Sequence, residues 1–444
     1  MPVLKIHSIK YNFFMNLILT GSSMIFPLIT FPIVSRALYS DMYGLCNWAI
    51  SIASWLSIIA MLGVNSYGIR EVAKVRDDNA KLIKITTELF IFTTITTLVT
   101  YAVFIVSLFV VEAFSENRFL LFINGFTILF NTLSAGWFFQ GIEQYTYVTI
   151  RGVAIKILSF VGIILFVHAP SDYLFYAALL VIATGLASLI NVCYMFTILK
   201  KTAKNYLASN VSRCRNGAFL IKETARTAGP FSMKQHIRPM LSFFFIAAAI
   251  SIYTILDTTM LGFLSTNQQV GYYSASMNIK NAISGVISAL AGVLLPRASN
   301  MLIKKEYSSY ISIIKRCTYY VLLAAIPSAI LLYFFATPLL SWYAGADFGG
   351  AGAVLSIVGI AIIPISLSGI FCNAVMIPLG LEKYCVRIYA AAAIMNFALN
   401  LALIPTLGAR GAACSTLFVE IMIAVIEFII IRKYIWGTKL GKTQ

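Results

Sequence analysis

Runs of 18 or more mostly apolar residues recur along the whole chain, each ended by charged residues or by Gly, Pro or Asn. Each run is long enough to cross about 30 Å of hydrocarbon as a helix. Twelve such spans are predicted: 12–35, 43–65, 85–111, 119–141, 148–168, 173–199, 240–264, 277–295, 315–336, 351–379, 385–405 and 411–431. The first follows Lys5 and Lys10 but contains Pro27 and Pro32 and has no small-residue cleavage site, so it reads as a retained helix rather than a signal peptide.

Four spans carry polar stripes. Asn12, Asn16, Thr20, Ser23, Pro27 and Thr30 fall on one face of span 1, and Asn47, Ser51, Ser54 and Asn65 mark span 2. Ser251, Thr254 and Thr258 mark span 7 with Asp257 beside them, and Asn281, Ser284 and Ser288 mark span 8 with Lys280 beside them. A polar face in lipid must turn towards protein or water. Helix packing accounts for any one stripe; four at corresponding places in both halves point to a shared hydrophilic cavity.

The halves correspond because punctuation recurs. "LYSDMYGLCNWA" follows span 1 and "LSTNQQVGYYSAS" follows span 7, pairing Gly44 with Gly271; each glycine lies 26 residues before an arginine, Arg70 and Arg297. "GIEQY" (Gly141 to Tyr145) follows span 4 and "GLEKY" (Gly380 to Tyr384) follows span 10. Six spans is an even number, so the halves share one orientation, as in parallel transporter repeats. The expected organisation is an N-terminal six-helix lobe over 1–199, a basic linker over 200–238 and a C-terminal six-helix lobe over 239–444.

Composition agrees: 60% of residues are hydrophobic and 11% charged, too few charges for a water-exposed surface. The net charge of +17 resolves into topology. With the amino terminus inside, 29 of the 33 Lys and Arg fall in inner segments, Arg151 and Lys156 among them, which places both termini in the cytoplasm and leaves no case for nucleic acid. The linker carries nine basic residues, read either as an amphipathic helix on the anionic inner leaflet or as a plain basic loop.

Charge inside the spans is the candidate chemistry. Asp257 and Lys280 either form an ion pair that locks two helices or serve a site; in the second case Arg36 and Lys280 could hold a diphosphate, with Asp257 competing for the same cations. Glu420 and Glu427, seven residues apart on span 12 with Thr416 one turn before Glu420, are either proton carriers or structural hydrogen-bonding groups. Glu88 is expected to pair with Lys84 one turn away. Seven scattered cysteines, with no pair close in sequence, fit neither a disulfide framework nor a zinc site, and three distant histidines give no metal cluster. No phosphate-binding loop is present, and the Gly-rich stretch 345–354 reads as a flexible turn. No cofactor is expected, and any driving force would come from a proton or sodium gradient.

The segments "VSRALYSDMYGLCNWAIS", "GVNSYGIREVAKVRDD", "AGWFFQGIEQYTYVTIR", "YTILDTTMLGFLSTNQQVGYYSAS" and "LLPRASNML" resemble, in order and spacing, the Wzx-type oligosaccharide flippases. These are the polysaccharide-export branch of the superfamily that includes the multidrug and toxin extrusion transporters. The resemblance implies an all-α integral membrane protein of about twelve helices, in two pseudo-symmetric six-helix lobes around a central cavity formed mainly by spans 1, 2, 7 and 8. It implies a flippase moving polyprenyl (undecaprenyl) diphosphate-linked oligosaccharide from the inner to the outer leaflet of the bacterial inner membrane by alternating access. Membrane lipids, a polysaccharide polymerase and the chain-length machinery would be its partners. Carried over by position, Arg36, Asp257 and Lys280 fall on the cavity-forming spans; with Asn47 and Asn281 of the polar stripes they are the substrate candidates, and Asp257, Glu420 and Glu427 are the ion-coupling candidates. The competing functions are a drug or metabolite exporter of the same fold, and a membrane glycan polymerase or ligase, against which the short outer loops count.

Overall fold

The computed structural model describes residues 9–210, 218–292, 301, 304 and 306–437. Lys5 and Arg297 lie outside them, as do His7 of the three histidines and Cys214 of the seven cysteines. Every element among the described residues is helical. Among the described residues nine stretches are long and apolar enough to cross a bilayer, the first over Phe14–Val75.

The chain forms two compact units, Met1–Phe26 with Ala49–Ala248, and Pro27–Trp48 with Ala249–Gln444. In both, long apolar side chains stand exposed, among them Leu98, Val99, Val103 and Phe109 in one and Phe334, Phe335 and Trp342 in the other, 58% to 74% accessible. Helices of this length with such surfaces are stable only in lipid, so the chain is a multi-pass membrane protein.

The first unit contains the start of α1 (Ile9–Met61), then α2 (Val64–Val75), α3 (Asn79–Val110), α4 (Arg118–Leu133), α5 (Gly136–Gly141), α6 (Tyr145–Phe166), α7 (Tyr173–Asn210), α8 (Ala218–Thr227) and the start of α9 (Lys234–Leu264). Gly63 adopts φ 79° between α1 and α2, and a side chain there would sit 2.5 Å from the Met240 carbonyl oxygen, so glycine is required by both the turn and the close crossing of α9. Trp137, Phe138, Phe139, Tyr67, Met195 and Met240 are buried together in the core. The linker helix α8 is not free on a surface: Leu220, Ile221, Thr224 and Ala225 are buried, and the helix packs on α3 and α7. Its apolar face finds protein before it finds lipid.

The second unit holds the middle of α1, most of α9, then α10 (Asn267–Gly292), α11 (Tyr307–Ala344), α12 (Gly352–Ile360), α13 (Ile362–Ile370), α14 (Glu382–Leu407) and α15 (Ala409–Gly437). The expected loop between spans 1 and 2 contracts to a single non-helical residue, Tyr39 (φ 55°, ψ 176°). The reason is tertiary: the Ser40 N–H donates to Asp347 Oδ2 at 2.6 Å instead of continuing the helix ladder. The repeat glycines meet here. A Cβ on Gly44 would lie 1.8 Å from Asn267 O and one on Gly271 would lie 2.0 Å from Ser40 O, so the two glycines let α1 and α10 touch backbone to backbone.

The other repeat signature shifts by two residues. The left-handed turn falls at Glu143 (φ 57°) before α6 and at Gly380 (φ 74°) before α14, so the structural counterpart of Gly380 is Glu143 rather than Gly141. Glu143 accepts this conformation with its carboxylate held by the Arg76 guanidinium and, at 3.4 Å, by Asn12 Nδ2.

Candidate functional site

In the second unit four helices converge on one carboxylate. Asp257 on α9 is 5% exposed. Its Oδ1 accepts from Asn400 Nδ2 on α14 at 2.6 Å; its Oδ2 accepts from Thr416 Oγ1 on α15 at 2.8 Å and from the Tyr273 hydroxyl on α10. Asn400 also donates to Asn396 Oδ1 at 3.2 Å, one turn earlier on α14. Asn400 Oδ1 is buried with no hydrogen-bond partner in the structure. A buried acceptor normally finds a donor or an ion, so the node is an oxygen-rich cage with one unsatisfied ligand atom.

No salt bridge joins Asp257 to Lys280 among the described residues, so the helix-locking ion pair is not formed. Three neutral donors occupy the Asp257 oxygens instead. Lys280 lies buried on α10, two turns beyond Tyr273. Glu420 is buried one turn beyond Thr416, and Glu427 is buried near Ser368, Cys372 and Tyr389.

Arg36 is exposed and donates from Nη2 to the Trp342 carbonyl at 2.6 Å, beside the loop in which Asp347 holds Ser40. Asn47 donates at 2.7 Å to the Tyr43 carbonyl, one turn back on its own helix, and Asn281 stands exposed on α10. Tyr43 in turn accepts from Asn278 Nδ2 at 2.8 Å, within an aromatic group of Phe31, Tyr343 and Phe348.

The first unit holds polar groups that sequence reasoning placed differently. Glu88 takes the Ser232 N–H at 2.8 Å and pairs with His236 Nε2 at 3.1 Å, rather than with Lys84; His236 Nδ1 reaches the Tyr67 hydroxyl at 2.8 Å. A partner 148 positions away is invisible to local spacing. Lys156, assigned to an inner connection, sits in the middle of α6. Asn396 and Asn400 were missed, although two asparagines four apart in an apolar span were a readable signal. Cys372, in the π-helical turn Phe371–Met376, and Cys385 on α14 are free thiols with their sulfurs 3.5 Å apart. Among the described residues no cluster of three or more His, Cys, Asp or Glu could hold a metal ion.

Among the described residues the chain is helical and multi-pass, with ionisable groups buried in its spans, where such groups mark ion or substrate sites by default. Its fold is shared with a solved structure titled "Lipid II flippase MurJ, inward closed conformation", at TM-score 0.69, 15% identity, 94% coverage of this chain and 87% of that one. It is shared also with an inward-facing multidrug resistance MATE family transporter of the MOP superfamily, at TM-score 0.60, 12% identity, 96% coverage of this chain and 99% of the other.

Residues 9–302 match the model of the polysaccharide biosynthesis protein family, and the chain belongs to that family. It is 24% identical to a protein of Escherichia coli (strain K12) named "Putative O-antigen transporter", over 96% of this chain and 97% of that one. It is 26% identical to a protein of the same name from Shigella dysenteriae, over 94% and 98%. The motif resemblance to the Wzx-type flippases is thereby borne out.

Proposed function

We propose that the chain flips polyprenyl diphosphate-linked oligosaccharide repeat units from the cytoplasmic to the outer leaflet of the bacterial inner membrane, for O-antigen or another surface polysaccharide. Twelve crossings, which put both termini on one side, follow if Phe14–Val75 counts twice, divided at Tyr39, and α9 and α10 each cross once; the excess of Lys and Arg in the inner segments makes that side the cytoplasmic one. The observation that carries the reading is the Asp257 cage in a membrane chain of a polysaccharide biosynthesis family. Binding of a proton or sodium ion at Asp257 supplies the driving force of alternating access, with Glu420 and Glu427 as further proton carriers. Arg36 and Lys280 act on the diphosphate, one through a planar fork and the other as a point charge; Asn47 and Asn281 offer amides to sugar hydroxyls.

The test is restoration of surface glycan in flippase-deficient cells supplied with a panel of lipid-linked repeat units. At least one unit should be exported, and Arg36→Ala and Lys280→Ala should impair that export while the protein still inserts. Wild-type export by both variants removes them from the mechanism. Drug tolerance that rises without rescue of any repeat unit replaces the reading with a drug exporter.

A further inference from the structure

Lys156 stands eleven residues after the first residue of α6 and ten before the last. At a rise of about 1.5 Å per residue it is roughly 15 Å from either end, at the middle of a bilayer-spanning helix. A lysine at that depth has no topological role. Its ammonium donates to Ser22 Oγ at 2.9 Å and Ser23 Oγ at 2.7 Å on α1. Those hydroxyls donate in turn to the Leu19 carbonyl, at 2.7 and 2.9 Å, so their hydrogens are committed and their lone pairs face Lys156.

The arrangement is built. Thr149, Gly152 and Lys156 share a face of α6 at spacings of three and four residues. Thr149 Oγ1 donates to Met15 O at 2.9 Å, and a side chain at Gly152 would press on Leu19 at 3.1 Å, so α6 and the start of α1 are fastened two turns and one turn before the lysine. Neither helix segment, 9–26 nor 145–166, contains an Asp or Glu, and Lys156 has no ion pair among the described residues. Two neutral hydroxyls leave its charge uncompensated at a depth where charge is normally neutralised by a partner. Ser23 is exposed and lies on the polar stripe of span 1, and Lys156 is itself part-exposed, so an anion can reach the ammonium.

We propose that Lys156, framed by Ser22 and Ser23, is a mid-membrane site for the anionic oxygens of the transported molecule, and that the lipid diphosphate is the group it takes. This rests on the flippase reading and deepens it. The ammonium offers a point charge with a third N–H still to donate, and the hydroxyls can turn to donate when the anion arrives.

The test compares Lys156→Met, Lys156→Arg and the Ser22→Ala/Ser23→Ala double variant in flippase-deficient cells, with membrane abundance measured, on a neutral and an acidic repeat unit. Lys156→Met should lose at least tenfold in export of both units at wild-type abundance, Lys156→Arg should retain most of it, and the double variant should fall between. Loss confined to the acidic unit overturns the diphosphate assignment in favour of a sugar carboxylate. Wild-type export by Lys156→Met, or equal loss in Lys156→Arg, overturns the site. Failure of the wild-type chain to export any unit refutes the flippase reading, and binding then decides the site independently: the purified chain should bind farnesyl diphosphate over farnesol, and Lys156→Met should lose that preference. An unchanged preference overturns it.

Discussion

Gly44 and Gly271 invite the sharpest test of the fold, because one methyl group on either has nowhere to go. The Cβ of Gly44→Ala would sit 1.8 Å from Asn267 O and 2.6 Å from Gly271 N. A carbon must stay roughly 3 Å from a carbonyl oxygen, so α1 and α10 must part by roughly 1.2 Å. The obstacle is backbone on both sides, which cannot swing aside like a side chain. A gap of that size forfeits about half of the dispersion energy along the crossing, placing the cost at the upper end of overpacking, about 3 kcal/mol. Gly271→Ala should cost a similar amount, its Cβ meeting Ser40 O at 2.0 Å. Separation forced by the first methyl makes room for the second, so the double variant should lose far less than the two losses added. Denaturant unfolding of the purified chain in mixed micelles measures all three. Either single variant as stable as the wild type, or a strictly additive pair, would refute the backbone-to-backbone crossing.

Other outcomes follow from the same geometry. Asp257→Asn should abolish ion-dependent export at normal abundance, and Asn400→Leu should reduce it at least tenfold by removing an amide from the cage; export that keeps its ion dependence in Asp257→Asn would exclude the cage from coupling. Glu88→Ala removes the acceptor of the part-buried Ser232 N–H and the carboxylate partner of His236 Nε2, which keeps Gln235 Nε2 at 3.3 Å, and should cost about 1–3 kcal/mol in all, read by the same unfolding assay; unchanged stability would contradict the buried pair. Mild oxidation should join Cys372 to Cys385, whose sulfurs lie 3.5 Å apart, and peptide mass mapping should show the cross-link within one chain. Two free thiols after oxidation would place them further apart.

Much of the architecture was legible in the linear order of residues. Lipid leaves the backbone no partner outside itself, so a run of 20 apolar residues has to be a helix, and an all-helical membrane fold could be read directly. The Gly44 and Gly271 pairing was visible as a repeat, but not that the two glycines touch each other. Asp257 announced itself because a carboxylate in an apolar run is conspicuous. Its partners Tyr273, Asn400 and Thr416 did not, since they come from three other helices, as far as 159 positions away. The same holds for Glu88, whose local spacing pointed to Lys84 while the fold supplied His236. Lys156 shows the limit most plainly. The positive-inside tally counted it with an inner connection although the expected span 148–168 already enclosed it; only the course of α6 against α1 decided its two serine partners. Sequence alone determined that this chain lives in the membrane, because hydrophobicity is a local property. Which polar groups meet there was decided by helix packing, because a contact between two helices depends on the rotation and depth of both.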